Sequence, residues 1–466
     1  MRPQSCPAFN IMFLRRIMDK TDFTEGKIVG PLLRFVFPIM FAIFLQILYG
    51  AVDLLIVGKF SDATNVSAVS TGSQLMHSVT ILLTDLALGT TVLLGIFLGQ
   101  KNAEECGRVI GATIALFFSI GAAASVLFST CAEPFSSLMN APAEAFAQTA
   151  SYIRICGGGS LFIVAYNVLG SIFRGIGNAT LPLFTVAIAA FFNIAGDYLL
   201  IAVFHMGATG AAIATVFAQA VSVVFSVLMV KRCVLNLSFS PSDIGFHKKL
   251  IGRIIGVGFP IALQDLLVGI SFLIVLAIVN RYGVITSAGV GVAEKLCGFF
   301  LLVPIAFSQG MASFVAQNYG AGKMERAYKV LRYGITISLV CGLVLGYLSF
   351  FHSVPVSNIF ADDAAVCRAS GEYLKAFSFD CLLTAFLFCF IGYFNGCAKT
   401  RFVMLQGIAG ALLVRVPLAY LLSRWFNGDI FMIGLATPAA SFVQVLLCIF
   451  YFVKHKKETT IKETAV

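Results

Sequence analysis

Asn193 and Asp197 stand four residues apart in the stretch 188–200 (IAAFFNIAGDYLL), inside a run that otherwise reads as a membrane-spanning helix. A carboxylate at the centre of a spanning helix costs roughly 2.5–3.5 kcal/mol on insertion scales, so it persists where it has a use. The i, i+4 spacing puts amide and carboxylate on one helix face, able to serve one site. An ion relay in a transporter is one reading, and a polar contact that glues two helices is the other. Earlier in the chain Gln46, Tyr49 and Asp53 follow one another at steps of three and four. They line one face of a helix, and that face would be wasted against lipid. Pro38, two turns before them, cannot donate its backbone N–H and is expected to bend the same helix. Asp85 is phased only with Thr84. Tyr166 and Asn167 follow the glycines 157–159, which favour close packing or bending. Thr215 ends GAAIAT.

The elements that must hold these residues follow from composition. Of 466 residues, 59% are hydrophobic and 12% charged, against about a quarter charged in soluble domains. A spanning helix needs about 20 apolar residues, and about twelve such runs occur, from 31–58 to 430–453. The expected fold is an all-α integral membrane protein with twelve transmembrane helices. The net charge of +10 does not point to nucleic acid. Lys101, Arg108, Lys231, Arg232, Lys248, Lys249, Lys323, Arg326, Lys329, Arg332, Lys399, Arg401, Lys454, Lys456 and Lys457 all fall on one side of the membrane. The other side has few basic residues, such as Lys59, Arg281, Arg368 and Arg424. This bias puts both termini in the cytoplasm.

The twelve cysteines are scattered through apolar runs without metal-ligand spacing, and the five histidines stand alone. They read as small buried hydrophobes. No cleavable signal is evident, because the apolar stretch 8–14 is short and closes on Arg15 and Arg16. Residues 1–17 read as dispensable, with Met18 as the natural start.

Depth ties the polar residues together. With a cytoplasmic N-terminus, Asp53 and Asp197 lie about five or six residues before the outer ends of spans 1 and 5. That is roughly 8–9 Å below the boundary at the helical rise, and Thr215 on span 6 lies roughly 12 Å down. Asp53, Asn193, Asp197 and Thr215 therefore share one slab of the outer half. Two carboxylates held close do not both ionise easily, which suits a proton site. With amide and hydroxyl oxygens beside them, the same groups suit Na⁺, a hard cation. The spacing leaves both open, and no cofactor is expected.

Residues 231–250 form the longest polar interval, and the halves on either side resemble one another. Phe37-Pro38-Ile39 recurs as Phe259-Pro260-Ile261, 222 residues on, and Tyr198-Leu199-Leu200 recurs as Tyr420-Leu421-Leu422. Six spans per half give both halves one orientation, a parallel repeat. The expected organisation is a cytoplasmic segment 1–27, an N-lobe 28–230, a linker 231–250, a C-lobe 251–453 and a cytoplasmic tail 454–466. At the 222 offset Asp53 faces Val275, Asn193 faces Arg415 and Asp197 faces Ala419, so the acidic cluster belongs to the first half. Asp265, Glu294, Lys295, Asp380 and Arg415 are buried charges of the second half. They are expected to pair with one another or to touch substrate, with Asp265 or Asp380 as the partner of Arg415.

After about Met18 the chain resembles the multidrug and toxic-compound extrusion (MATE) family. The resemblance rests on PIMFAIFLQILYGAVDLLIVG in span 1, NIAGDYLLI in span 5, GATGAAIAT entering span 6 and FVAQNYGAGKMERA after span 8. It implies a V-shaped antiporter of two six-helix lobes that exports amphipathic, often cationic compounds in exchange for H⁺ or Na⁺. It also implies cation coupling at Asp53, Asn193, Asp197 and Thr215, a cavity lined by Gln46 and Tyr49, and bending at Pro38. Asn167 is a further cavity candidate. A sodium-coupled branch of the family uses an acid in span 7 and another after span 10, where Val268 and Lys399 stand here.

The expected setting is a bacterial inner membrane, with a monomer acting on small molecules among lipids. A flippase for a lipid-linked saccharide is the main rival, but it would need buried Arg and Lys to hold pyrophosphate, and the first half has few. No HExxH or GxSxG motif supports an enzyme.

Overall fold

The computed structural model describes residues 22–233 and 239–464. The expectations placed on residues 1–17, on Met18 and on the middle of the 231–250 interval lie outside the described residues. So do the side chains of Lys231, Arg232 and Lys457. Among the described residues every regular element is helical. Eleven helices are long and apolar enough to cross a membrane. The count is twelve when Phe146–Gly158 and Ser160–Gly175, bent by 53° at their junction, form one span. Helices dominate because a bilayer offers no water to hydrogen-bond a backbone, and a helix satisfies its own groups.

The chain forms two compact units. The first holds the described residues up to Ala262 together with Ala316–Lys323, and the second holds the rest. In the first unit, α1 (Val29–Phe60) runs unbroken through Pro38. The turn after it is fixed by Asp62, whose carboxylate accepts Asn65 N at 2.9 Å and caps α2 (Ala63–Gly99). Then come α3 (Ala103–Thr130), the short α4 (Ala132–Leu138), α5 (Phe146–Gly158) and α6 (Ser160–Gly175). α7 (Thr180–Asp197) passes into a π-helical turn, Tyr198–Val203, and α8 (Gly207–Cys233) follows. Asn65 Oδ1 accepts Ala208 N at 2.8 Å, so the α1–α2 turn also caps the start of α8.

Helix association inside lipid depends on close packing rather than on the exclusion of water. One buried cluster gathers Leu94, Ile110, Phe117 and Phe173. Another holds Val57, Met76, Tyr152, Cys156 and Ile201. The chain before α1 is tied to Ala316–Lys323. Phe23 N donates to Gln317 Oε1 at 3.2 Å, and Asn318 Nδ2 donates to the Phe23 carbonyl at 3.1 Å.

The second unit takes most of α9 (Lys248–Val279), which runs unbroken through Pro260. It continues with α10 (Val284–Phe300), α11 (Leu302–Gly320), α12 (Met324–Phe351), the one-turn α13 (Ser353–Ser357) and α14 (Ala364–Gly396). α15 (Thr400–Ile408) leads through a second π-helical segment, Ala409–Arg415, into α16 (Val416–Trp425). The short α17 (Ile430–Gly434) and α18 (Ala436–Thr464) close the chain. Val275, Leu296, Tyr373 and Phe377 centre its core.

Candidate ion and substrate site

α1, α7 and α8 carry the four residues that the depth argument placed in one slab, and each is drawn inward by a local feature. Asp53 is the inward position of an α1 stretch whose neighbours Ala51, Leu54 and Leu55 are exposed. Asp197 is the last residue before the π-helical turn, and such turns are frequent at functional sites because they re-aim a side chain. Gly196 lets α8 approach: a Cβ there would meet Ala214 Cβ at 3.0 Å. That approach brings Asn193 Nδ2 to Thr215 Oγ1, at 3.4 Å. Phe192 and Phe217, rings 6.1 Å apart, back the same pair of helices.

Asp197 is 0% exposed, Asn193 2% and Asp53 7%. The Asp53 charge acts on Asp197, so the two carboxylates share one electrostatic environment. Among the described residues, Asp53 Oδ1, Asn193 Oδ1 and both carboxylate oxygens of Asp197 are buried without a hydrogen-bond donor. Buried polar atoms in native proteins are nearly always paired, and an unpaired one calls for an explanation. Four acceptor oxygens on α1 and α7 are thus buried without a donor, the charge of Asp53 acts on Asp197, and the Thr215 hydroxyl is bonded to the Asn193 amide nitrogen. An all-oxygen donor set of two carboxylates, an amide and a hydroxyl fits a shared proton or a hard cation such as Na⁺. Among the described residues no group of three or more His, Cys, Asp or Glu side chains is placed to hold a metal ion.

The remaining sequence candidates form a polar ladder beside this centre. Tyr49 is within electrostatic reach of Asp53, and Tyr166 of Tyr49. Gln46 Nε2 donates to Tyr166 Oη at 3.5 Å. Asn167 is committed at both ends: Oδ1 accepts Thr84 Oγ1 at 3.1 Å, and Nδ2 donates to the Ile163 carbonyl at 2.8 Å. It therefore ties α2 to α6. Asp85 is half-buried next to Thr84.

Sequence reasoning missed three residues. Tyr152 and Cys156, one turn apart on α5, lie within electrostatic reach of Asp53, and Tyr152 of Asp197 also. Tyr152 enters because Gly72 has no Cβ, which would lie 2.5 Å from the Tyr152 ring. Their i, i+4 spacing was the available signal. Arg174, at the end of α6, acts on Tyr166 and donates to Ser171 Oγ at 3.0 Å.

In the second unit, Arg415 was expected to pair with Asp265 or Asp380. Its direct contacts are instead the Ser271 hydroxyl, at 2.9 Å from Nη1, and the face of Phe272, 4.1 Å from Cζ. Among the described residues no carboxylate forms an ion pair with it; Asp380 acts on it through space.

Comparison with known proteins bears on the family and the fold. The MatE family model matches residues 38–199 and again 260–421, two segments displaced by the same 222 residues as the internal repeat. The chain is 25% identical over 435 residues to the probable multidrug resistance protein YoeA of Bacillus subtilis, covering 91% of this chain and 94% of that protein. It is 23% identical to the multidrug export protein MepA of Staphylococcus haemolyticus, covering 91% and 94%. An outward-facing multidrug resistance MATE family transporter superposes with a TM-score of 0.86 at 19% identity, covering 96% of this chain and 98% of that one. A MATE structure in the bent conformation also gives 0.86, at 20% identity, covering 95% and 100%. With the family model matched twice along one helical membrane chain, this protein belongs to the MATE family of membrane transporters, and it is not an enzyme.

Proposed function

We propose that the chain is a multidrug efflux antiporter. It exports amphipathic, often cationic compounds in exchange for H⁺ or Na⁺, with Asp53, Asn193, Asp197 and Thr215 as the coupling site. The observation that carries this reading is the burial of four acceptor oxygens without a donor, two on Asp197 and one on Asp53, whose charge acts on Asp197. A bound proton or Na⁺ would supply what they lack. Antiport needs each ligand to favour a different facing state. Loading the acids neutralises them, and α1 then bends at Pro38, where the helix lacks a hydrogen bond to the Arg34 carbonyl. The drug, held along Gln46 and Tyr49 on the same helix, leaves as the ion enters. Naming of the relatives as multidrug export and resistance proteins supports this substrate class.

In this reading the N-lobe (28–230) binds the ion, and the C-lobe (251–453) moves against it in alternating access. The protein sits in the bacterial cytoplasmic membrane as a monomer with both termini inside, as the distribution of Lys and Arg supports. The test is dye-cation efflux from proteoliposomes, with a pH gradient and a Na⁺ gradient imposed separately. Efflux driven by the pH gradient alone assigns a proton relay. Efflux driven by Na⁺ alone assigns a sodium cage. No efflux under either gradient overturns the multidrug reading.

A further inference from the structure

The family model matches two segments at a constant offset of 222 residues, and that offset carried along the sequence pairs positions of the two halves. It sets Arg415 at the place of Asn193, Thr437 at that of Thr215 and Ser271 at that of Tyr49. Both units carry a π-helical segment in this helix, and a buried charged residue sits at its edge in each. In the first, Asp197 immediately precedes the segment; in the second, Arg415 is its last residue. Arg415 is 5% exposed. Its guanidinium reaches across to α9, where it donates to Ser271 and covers the Phe272 ring.

Among the described residues the acid that acts on this cation is Asp380. Asp380 on α14 is 3% exposed, is bonded to Ser441 of α18, and acts on Arg415. Asp380 Oδ1 and Arg415 Nε are each buried without a hydrogen-bond partner among the described residues. Tyr373, bonded to Thr437 and two turns before Asp380 on the same helix, also acts on Arg415. The units therefore differ in charge balance. Among the described residues no cation acts on the buried Asp53 and Asp197 of the first, whereas in the second a cation covalently attached to the chain acts on the buried Asp380.

We propose that Arg415 is a tethered cation standing where the first unit takes an exchangeable ion. It keeps Asp380 neutralised without titration, and it confines ion coupling to the first unit. The proposal rests on reading Asp53 and Asp197 as the coupling acids, and its test uses a readout independent of transport. Removal of the Arg415 charge should turn Asp380 into a new proton or Na⁺ site. Other titratable groups around Asp380 are Cys381 and Tyr373 on its own helix, and Cys297 with Glu294 behind it on α10. α18 offers the uncharged Ser441 and Thr437.

The experiment is thermal unfolding of the purified full chain in detergent between pH 5.5 and 8, without Na⁺ and then with it. It is made in the Asp53→Asn/Asp197→Asn background, which silences the first unit. Adding Arg415→Gln should lower Tm progressively as pH rises, by about 1–2 °C per pH unit beyond the parent, because an unprotonated Asp380 is then buried without a counter-charge. Adding Asp380→Asn as well should remove that extra slope, which leaves Glu294 and the thiols as the unchanged background. Equal slopes with and without Asp380 would overturn the proposal. If Arg415→Gln alone does not fold, Asp380→Asn should restore folding, and failure to restore it would overturn the proposal equally. Loss of the first-unit reading would show separately, as coupled efflux that survives Asp53→Asn/Asp197→Asn.

Discussion

Asn193 is bonded to Thr215 through one end of its amide only. Nδ2 reaches the Thr215 hydroxyl at 3.4 Å, and Oδ1 is buried with no partner. In the proposed site Thr215 orients the amide so that its oxygen is left for the ion. Asn193→Ala and Thr215→Ala should each weaken the apparent affinity for the coupling ion by about 5–10-fold, the worth of one hydrogen bond of about 1 kcal/mol. Because they act on one oxygen, the double variant should lose little more than either single one. Ion-concentration dependence of dye efflux measures this, and fully additive losses would refute the shared role.

Close approach of α7 and α8 at Gly196 is what permits that bond. Gly196→Val would drive a branched side chain into Ala214, an overpacking cost of about 1–3 kcal/mol. The expected result is a folded protein of lower Tm whose ion affinity falls as in Asn193→Ala. A Gly196→Val variant with lowered Tm and unchanged ion affinity would uncouple the packing from the site.

Pro38 leaves the Arg34 carbonyl without its helical donor, and that is where α1 is easiest to bend. Pro38→Ala restores the bond and stiffens the helix. Dye binding at equilibrium should persist while efflux slows several-fold. Unchanged turnover would show that α1 does not bend there during the cycle.

Asp62 accepts both the Asn65 backbone N–H and its side-chain Nδ2, and these two bonds hold its carboxylate below the usual carboxylate range. A depressed folded value means that the capping contribution is fully present above the unfolded value of about 3.8 and is lost as pH falls through the folded one. Asn65 in turn caps α8 at Ala208, so acid should loosen both helix starts together. Hydrogen exchange at the Asn65 and Ala208 amides should accelerate below that range, and in Asp62→Ala at neutral pH. Protection that is insensitive to Asp62→Ala would contradict the linkage.

Much of this was legible in the sequence because lipid makes the rules strict. Apolar runs have to be helices, and an acid within one is costly, so Asp53 and Asp197 marked themselves. Helical rise alone put them at one depth, and the charge of Asp53 acts on Asp197. The repeat was readable from Pro38 and Pro260, and it predicted that the second half lacks the acids. Tyr152 was hidden because its entry depends on the missing Cβ of Gly72, a contact between distant positions of the chain. Asn167 was named for the cavity, and its bonds to Thr84 and to the Ile163 carbonyl, which tie α2 to α6, were not readable because they join distant positions of the chain. Of the acids expected beside Arg415, Asp380 acts on it without forming an ion pair, and the direct contacts with Ser271 and Phe272 were not readable because they depend on where the π-helical segment ends.

The most direct test of the account is gradient-driven dye-cation efflux by Asp197→Asn in proteoliposomes, beside the parent chain. Asparagine keeps the shape of Asp197 and removes its charge. The account predicts a folded protein, with a Tm close to that of the parent, which still binds dye but no longer moves it under an imposed pH or Na⁺ gradient. Coupled efflux retained at the parent's rate would contradict it, and the ion would then have to bind elsewhere.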